Sequence, residues 1–178
     1  MQIVKMLVAS LIFMSFTNPI LAAPPFQILQ TCMNGEPYNN KIVINELDGE
    51  GLAERSMDGC KDQYHRIFNG HAFGTLKCNQ KFYLVINDKK INPELAENMS
   101  INPEIKPGTF FTPRALWYKI DIEEQSYLCI FAPIAEQGVG ASYNQYYIIE
   151  NAFNVDLKPK LYFYFLDKNI TPITSKTL

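Results

Sequence analysis

The segment QYHRIFNGHAFGTLK, residues 63–77, decides the fold. Its centre is Asn69-Gly70, flanked on both sides by residues rich in β-branched and aromatic side chains. A two-residue type I′ hairpin turn needs positive φ at both central positions, which Asn and Gly tolerate best. With the turn placed there, Phe68 faces His71, Arg66 faces Phe73, Tyr64 faces Thr75 and Asp62 faces Lys77. Those residues share a mixed polar and aromatic face. His65, Ile67, Ala72, Gly74 and Leu76 share the opposite, more apolar face, which is expected to be the core side.

Outward from this hairpin, strand signals recur with turn residues between them. Strands are predicted at Phe26–Cys32, Lys41–Leu47, Gln63–Phe68, His71–Lys77, Lys81–Asn87, Ala115–Ile122, Ser126–Ala132, Tyr143–Glu150 and Lys160–Asp167. The stretch from Tyr118 to Ile122 alternates as a half-exposed strand does. Residues 161–166 (LYFYFL) are apolar at every position, so that strand belongs mid-sheet or is covered on both faces. Glu123-Glu124-Gln125 reads as a turn. The pattern predicts an all-β, mostly antiparallel single domain, a sandwich or a barrel.

Asp88 to Gly108 breaks the β pattern and reads as one long loop. It carries INPEL (91–95) and INPEI (101–105), a near-repeat ten residues apart. Asn92-Pro93-Glu94 offers an N-cap, a proline at the first helical position and an acid in the first turn, which predicts a helical turn near Pro93–Asn98.

The N-terminus has the three-part layout of a secretory signal. Lys5 is followed by an apolar run from Met6 to Phe16 and then by a more polar stretch ending in Ala22-Ala23. The run is shorter than the ~20 residues that span a bilayer. Cleavage is expected after Ala22, giving a 1–22 signal peptide and a 23–178 secreted β domain without a stable membrane anchor. All four cysteines (Cys32, Cys60, Cys78 and Cys129) lie beyond that point. An even count in an exported chain predicts two disulfides, and the wide spacing argues against a metal site. The hairpin register puts Cys60 and Cys78 on opposite faces. The expected pairings are therefore Cys32–Cys60 with Cys78–Cys129, or Cys32–Cys78 with Cys60–Cys129, with the first preferred.

Net charge is −2 and no run of Lys or Arg occurs, so neither nucleic acid nor an anionic membrane surface is an expected partner. No cofactor is expected: Gly138-Val-Gly140-Ala-Ser142 lacks the remainder of a phosphate-loop or dinucleotide motif and reads as a hairpin loop. The leading expectation is an exported, non-catalytic binding protein, periplasmic or extracellular, that recognises a protein or glycan partner. Trp117, Tyr118, Tyr64 and Arg66 are the candidate binding residues, since Trp and Tyr combine large apolar area with a polar tip. Trp117 shares a strand face with Lys119 and Asp121, which predicts its exposure. The alternative is a small hydrolase with His71 as general base and Asp62 or Asp58 as orienting acid. Against it, the two histidines also read as one core and one surface residue. A further alternative is a barrel carrying a small ligand in an internal cavity. The sequons at Asn98 and Asn169 are formal glycosylation sites.

Overall fold

A computed structural model describes residues 23–47 and 60–168, with side chains undescribed at 61–65. The expected leader, Asp58 and the sequon at Asn169 lie outside the described residues. One helix and ten strands follow in order: α1 (Phe26–Asn34), β1 (Ile42–Glu46), β2 (Cys60–Phe68), β3 (His71–Cys78), β4 (Lys81–Ile86), β5 (Lys89–Ile91), β6 (Glu97–Asn98), β7 (Leu116–Ile122), β8 (Gln125–Pro133), β9 (Asn144–Glu150) and β10 (Lys160–Phe165). Six strands form one sheet in the order β1-β7-β8-β9-β10-β6, and four form the second, β2-β3-β4-β5. Pairing is antiparallel throughout except for β6 against β10. The result is a sandwich of two open sheets, not a closed barrel.

The Asn69-Gly70 turn forms as expected, with φ of 49° and 81°. Phe68 pairs with His71, Arg66 with Phe73 and Tyr64 with Thr75. Between Lys61 and Tyr64 the register slips by one residue. This bulge corrects two expectations. Lys77 lies across from Lys61 instead of Asp62, and Cys60 lies directly across from Cys78. The disulfides are accordingly Cys60–Cys78 and Cys32–Cys129, neither of the two expected sets. One extra residue in an antiparallel strand reverses the facing of everything beyond it.

The first segment is helical, not a strand. Phe26–Asn34 follows Pro24-Pro25 and stops at Gly35, whose φ of 68° lets its N–H bond the Thr31 carbonyl. Ile28 and Cys32 lie four residues apart on the buried side, and Cys32 is bonded to Cys129 on β8. The helix covers the outer face of the six-stranded sheet, packing with Ile42, Ile120, Tyr127, Tyr146, Ile148, Tyr162 and Tyr164. The inner face packs Trp117, Leu128, Ile130, Tyr147, Ile149 and Phe163 against Phe73, Leu84 and Ile86 of the second sheet. With both faces covered, β10 is buried along its apolar run, as its sequence predicts.

The core side of the hairpin is the reverse of that expected. Phe73 and Thr75 face the main core, whereas Ala72, Leu76, Cys78 and Val85 form a smaller cluster on the other side. The polar members of the inward face have partners. Thr75 Oγ1 meets Thr112 Oγ1 at 2.9 Å, and the Arg66 guanidinium donates to the Leu47 carbonyl at 2.6 Å and the Ala115 carbonyl at 3.3 Å. A satisfied polar group can be carried into a core that an unsatisfied one could not enter.

The two INPE segments adopt the same turn. Asn92 Oδ1 accepts from Glu94 N and Asn102 Oδ1 from Glu104 N, each at 3.0 Å. The first forms a short helical turn over Pro93–Leu95.

Candidate functional site

Two connections meet at one end of the sandwich. The tight turn from β7 to β8 contains Glu123, whose φ is 53°. The nine-residue loop from β9 to β10 crosses to the second sheet. There the Phe153 ring lies 5.6 Å from Phe68 and 5.3 Å from Phe73, and Lys89 Nζ donates to the Val155 carbonyl at 2.7 Å. Between this loop and the ends of β8 and β9 lies a cleft of about 400 Å³. Its walls are Glu124, Gln125, Ser126, Tyr127, Glu150, Asn151, Phe153, Asn154 and Leu157.

Several wall residues are held by contacts of their own. Tyr127 pairs across the sheet with Glu150, and its hydroxyl donates to Gln125 Oε1 at 2.7 Å. Burial raises the Tyr127 pKa above the usual phenol value, and the Glu150 carboxylate and Tyr162 add to the effect. Ser126 pairs with Asp121 and donates to its Oδ1 at 2.5 Å. Asp121 in turn holds Lys119 Nζ at 2.5 and 2.6 Å, and that ammonium sits 5.6 Å from the centre of the Phe153 ring. The Lys160 ammonium, across the sheet from Glu150, donates to the Tyr162 hydroxyl. Among the described residues, Glu124 and Glu150 form no ion pair.

The residues expected to bind are not brought together. Trp117 does share a face with Lys119 and Asp121, but that face is the inner one, and Trp117 is 1% exposed. Further along that face, Lys119 and Asp121 are both partly exposed. Tyr118 points to the outer face, where its hydroxyl lies beside Gly35. Burial is the larger cause of its raised pKa, followed by Glu46. Arg66 is occupied in tying β2 to the six-stranded sheet, and the Tyr64 side chain is undescribed. The aromatics are mostly interior, so an exposed platform is not what they build.

His71 has an acidic partner, but not one of the two expected. Its Nδ1 lies 2.7 Å from Asp88 Oδ2, with both side chains more than two-fifths exposed. The other Asp88 oxygen accepts from Ala72 N at 2.9 Å, and Asp88 N donates to the Ala72 carbonyl. The pair thus braces β3 against the turn joining β4 to β5. It stands at the same end of the sandwich as the cleft, because the adjacent Lys89 and Phe68 both touch the β9–β10 loop. In that same turn, Asn87 Nδ2 is buried without a hydrogen-bond partner among the described residues.

Sequence reasoning missed the cleft because its residues come from two loops with no motif between them. The only available signal was the polar, turn-rich composition of Asn151–Lys158 after an apolar strand. Among the described residues no group of three or more His, Cys, Asp or Glu side chains is placed to hold a metal ion, and no helix is long and apolar enough to cross a membrane. No protein-family model, curated protein or solved structure matches this chain.

Proposed function

We propose that this is an exported, non-catalytic binding protein that recognises a glycan in the cleft between the β7–β8 turn and the β9–β10 loop. The observation that carries the reading is the composition of that cleft. Phe153, Leu157 and Tyr127 supply flat or apolar surface for the C–H face of a sugar ring. Gln125, Asn151 and Asn154 bring amide groups that can donate to neighbouring hydroxyls, while Gln125 Oε1 and Asn154 Oδ1 already accept from the Tyr127 hydroxyl and Asp156 N. A volume of about 400 Å³ falls within the usual range for small-ligand sites. Two intrachain disulfides indicate an oxidising compartment, which accords with a cleaved leader ending at Ala22.

The test is a glycan array probed with the oxidised protein as purified after export, beside an Asn154→Ala variant. Capture of a defined glycan that the variant loses supports the site. Capture that the variant retains removes the cleft from the account, and no capture removes glycan recognition.

A hydrolase built on His71 is the second reading, favoured by the 2.7 Å contact with Asp88 and with that residue as the orienting acid. It requires turnover that His71→Ala abolishes. A panel of ester, peptide and glycoside substrates with no turnover by the parent protein would dispose of it.

A further inference from the structure

We infer that two copies of this chain pair antiparallel along the free edge of β1, joining their six-stranded sheets about a two-fold axis beside Ile44. The surface lies on a different element from those that wall the cleft, and it does not depend on what the cleft binds.

A sheet edge offers unpaired N–H and C=O groups to any strand that fits, and proteins ordinarily guard it with short strands, charges, bulges or prolines. Of the edge strands β1, β6, β2 and β5, the last three are guarded in this way. β6 is two residues long. β5 is three residues long, and Lys89 and Lys90 are two of them. β2 carries the bulge between Lys61 and Tyr64. β1 has none of these devices. Its sequence, IVINE, pairs with β7 without a break, and among the described residues no strand pairs with its other side. Val43 is 54% exposed, and Asn45 and Glu46 are exposed as well.

Pairing with β7 also fixes which backbone groups are free. Leu47 N donates to the Trp117 carbonyl in register with the β1–β7 ladder, so the odd-numbered residues of β1 are bonded to β7. Ile42, Ile44 and Glu46 therefore direct their backbone groups outward. Ile42 N is taken by the Asn39 carbonyl at 3.2 Å, which leaves the Ile42 carbonyl and both groups of Ile44 and Glu46. A copy centred on Ile44 sets that residue against its own counterpart and Ile42 against Glu46. Hydrogen bonds then close between the Ile44 pair and from each Glu46 N–H to the facing Ile42 carbonyl.

Charge selects the antiparallel orientation and a second copy as the occupant. Lys41 precedes the strand and Glu46 ends it; both are exposed, and neither is in an ion pair among the described residues. Within one chain they are separated by roughly 17 Å, five residues at ~3.3 Å each, which is too far to meet. In the antiparallel dimer Lys41 comes level with Leu47 of the copy, beside its Glu46, and the contact is made at both ends. Parallel pairing would set Glu46 against Glu46. A strand bounded by opposite charges and largely apolar between them is complementary to itself. So short a contact makes a weak, concentration-dependent dimer.

The experiment is sedimentation velocity of the oxidised, exported protein over a concentration series at low salt. The samples are the parent, Lys41→Glu, Glu46→Lys, and an equimolar mixture of the two variants. The parent is expected to form more dimer as concentration rises. Each variant alone opposes like charges at both ends and should dimerise at least about fivefold more weakly. The mixture restores opposite charges at both ends and should regain the parent's affinity, which also shows that both variants fold. In the parent, amide exchange should slow at Ile44 and Glu46 as concentration rises, while Val43 and Asn45, already bonded to β7, stay unchanged. A parent that stays monomeric, variants that dimerise as the parent does, or a mixture of folded variants that gains nothing over either would overturn the inference. So would exchange at Ile44 and Glu46 slowed by an added IVINE peptide in a parent that remains monomeric, which would give the edge to a foreign strand.

Discussion

Removing the Cys32–Cys129 bridge should destabilise the protein more than removing Cys60–Cys78, by an amount that follows from chain topology. The two bridges span 97 and 18 residues of sequence. Restriction of the unfolded chain then gives ~4.7 kcal/mol for the long loop and ~3.2 kcal/mol for the short one, a difference of ~1.5 kcal/mol. Cys32 and Cys129 are fully buried and Cys78 nearly so. Alanine pairs are therefore the right replacement, because serine would bury unpaired hydroxyls. Cavity costs are of similar size in the two double variants and largely cancel in the comparison. In urea, with a slope of roughly 2 kcal/mol per molar, C32A/C129A should unfold ~0.7 M earlier than C60A/C78A. Loss of the long bridge also frees α1, and an isolated helix of its length is marginal in water. Its departure uncovers Tyr127, Ile148 and their neighbours, so that variant alone should bind an apolar dye before its main transition. Equal midpoints, or an earlier one for C60A/C78A, would refute the reasoning that the long bridge is the main constraint on the unfolded chain.

Other consequences concern single residues and pH. Trp117→Ala should cost ~3–5 kcal/mol, read by denaturant unfolding, because it empties a fully buried site and does not strip a binding surface. Gly35→Ala should cost ~1–2 kcal/mol, since φ is 68° and the added methyl would lie 3.3 Å from the Tyr118 hydroxyl oxygen. Asn98→Ala should lower stability by ~1–3 kcal/mol, because its amide donates to the Pro103 and Ile105 carbonyls and its Oδ1 accepts from Ser100 N. The contribution of the buried tyrosines to stability should be constant below pH ~10 and fall steeply above it. Burial raises Tyr147, Tyr162 and Tyr164, the last to about 12, so the unfolded chain releases protons first. For Tyr164 alone that sign means a loss of about 1 kcal/mol by pH ~11, measurable by chemical denaturation across the pH series.

The β architecture was legible because its signals are local. Asn69-Gly70 states its own turn chemistry, and alternation or unbroken apolarity states how many faces each strand buries. The helix at Phe26–Asn34 was misread because FQILQTC also fits a short strand. The Pro24-Pro25 start and the Gly35 stop carried the better information. Disulfide pairing failed at a single bulge, near residues 61–64, that no turn residue announces. The facing of Trp117 failed for a related reason. A strand in a two-sided sheet has two buried faces, so sharing a face with Lys119 and Asp121 does not imply water. The cleft was the least legible feature, because Glu124–Tyr127 and Glu150–Leu157 meet only after β8 and β9 have paired.

The most direct test of the cleft as the binding site is an amide-resolved NMR titration of the oxidised protein with glucosamine, N-acetylglucosamine and glucose tetramers. The account predicts that at least one sugar shifts amides at 124–127 and 150–157, leaving those at 80–83 and 109 unmoved. Shifts centred elsewhere, or none from any of the three at millimolar concentration, would contradict it.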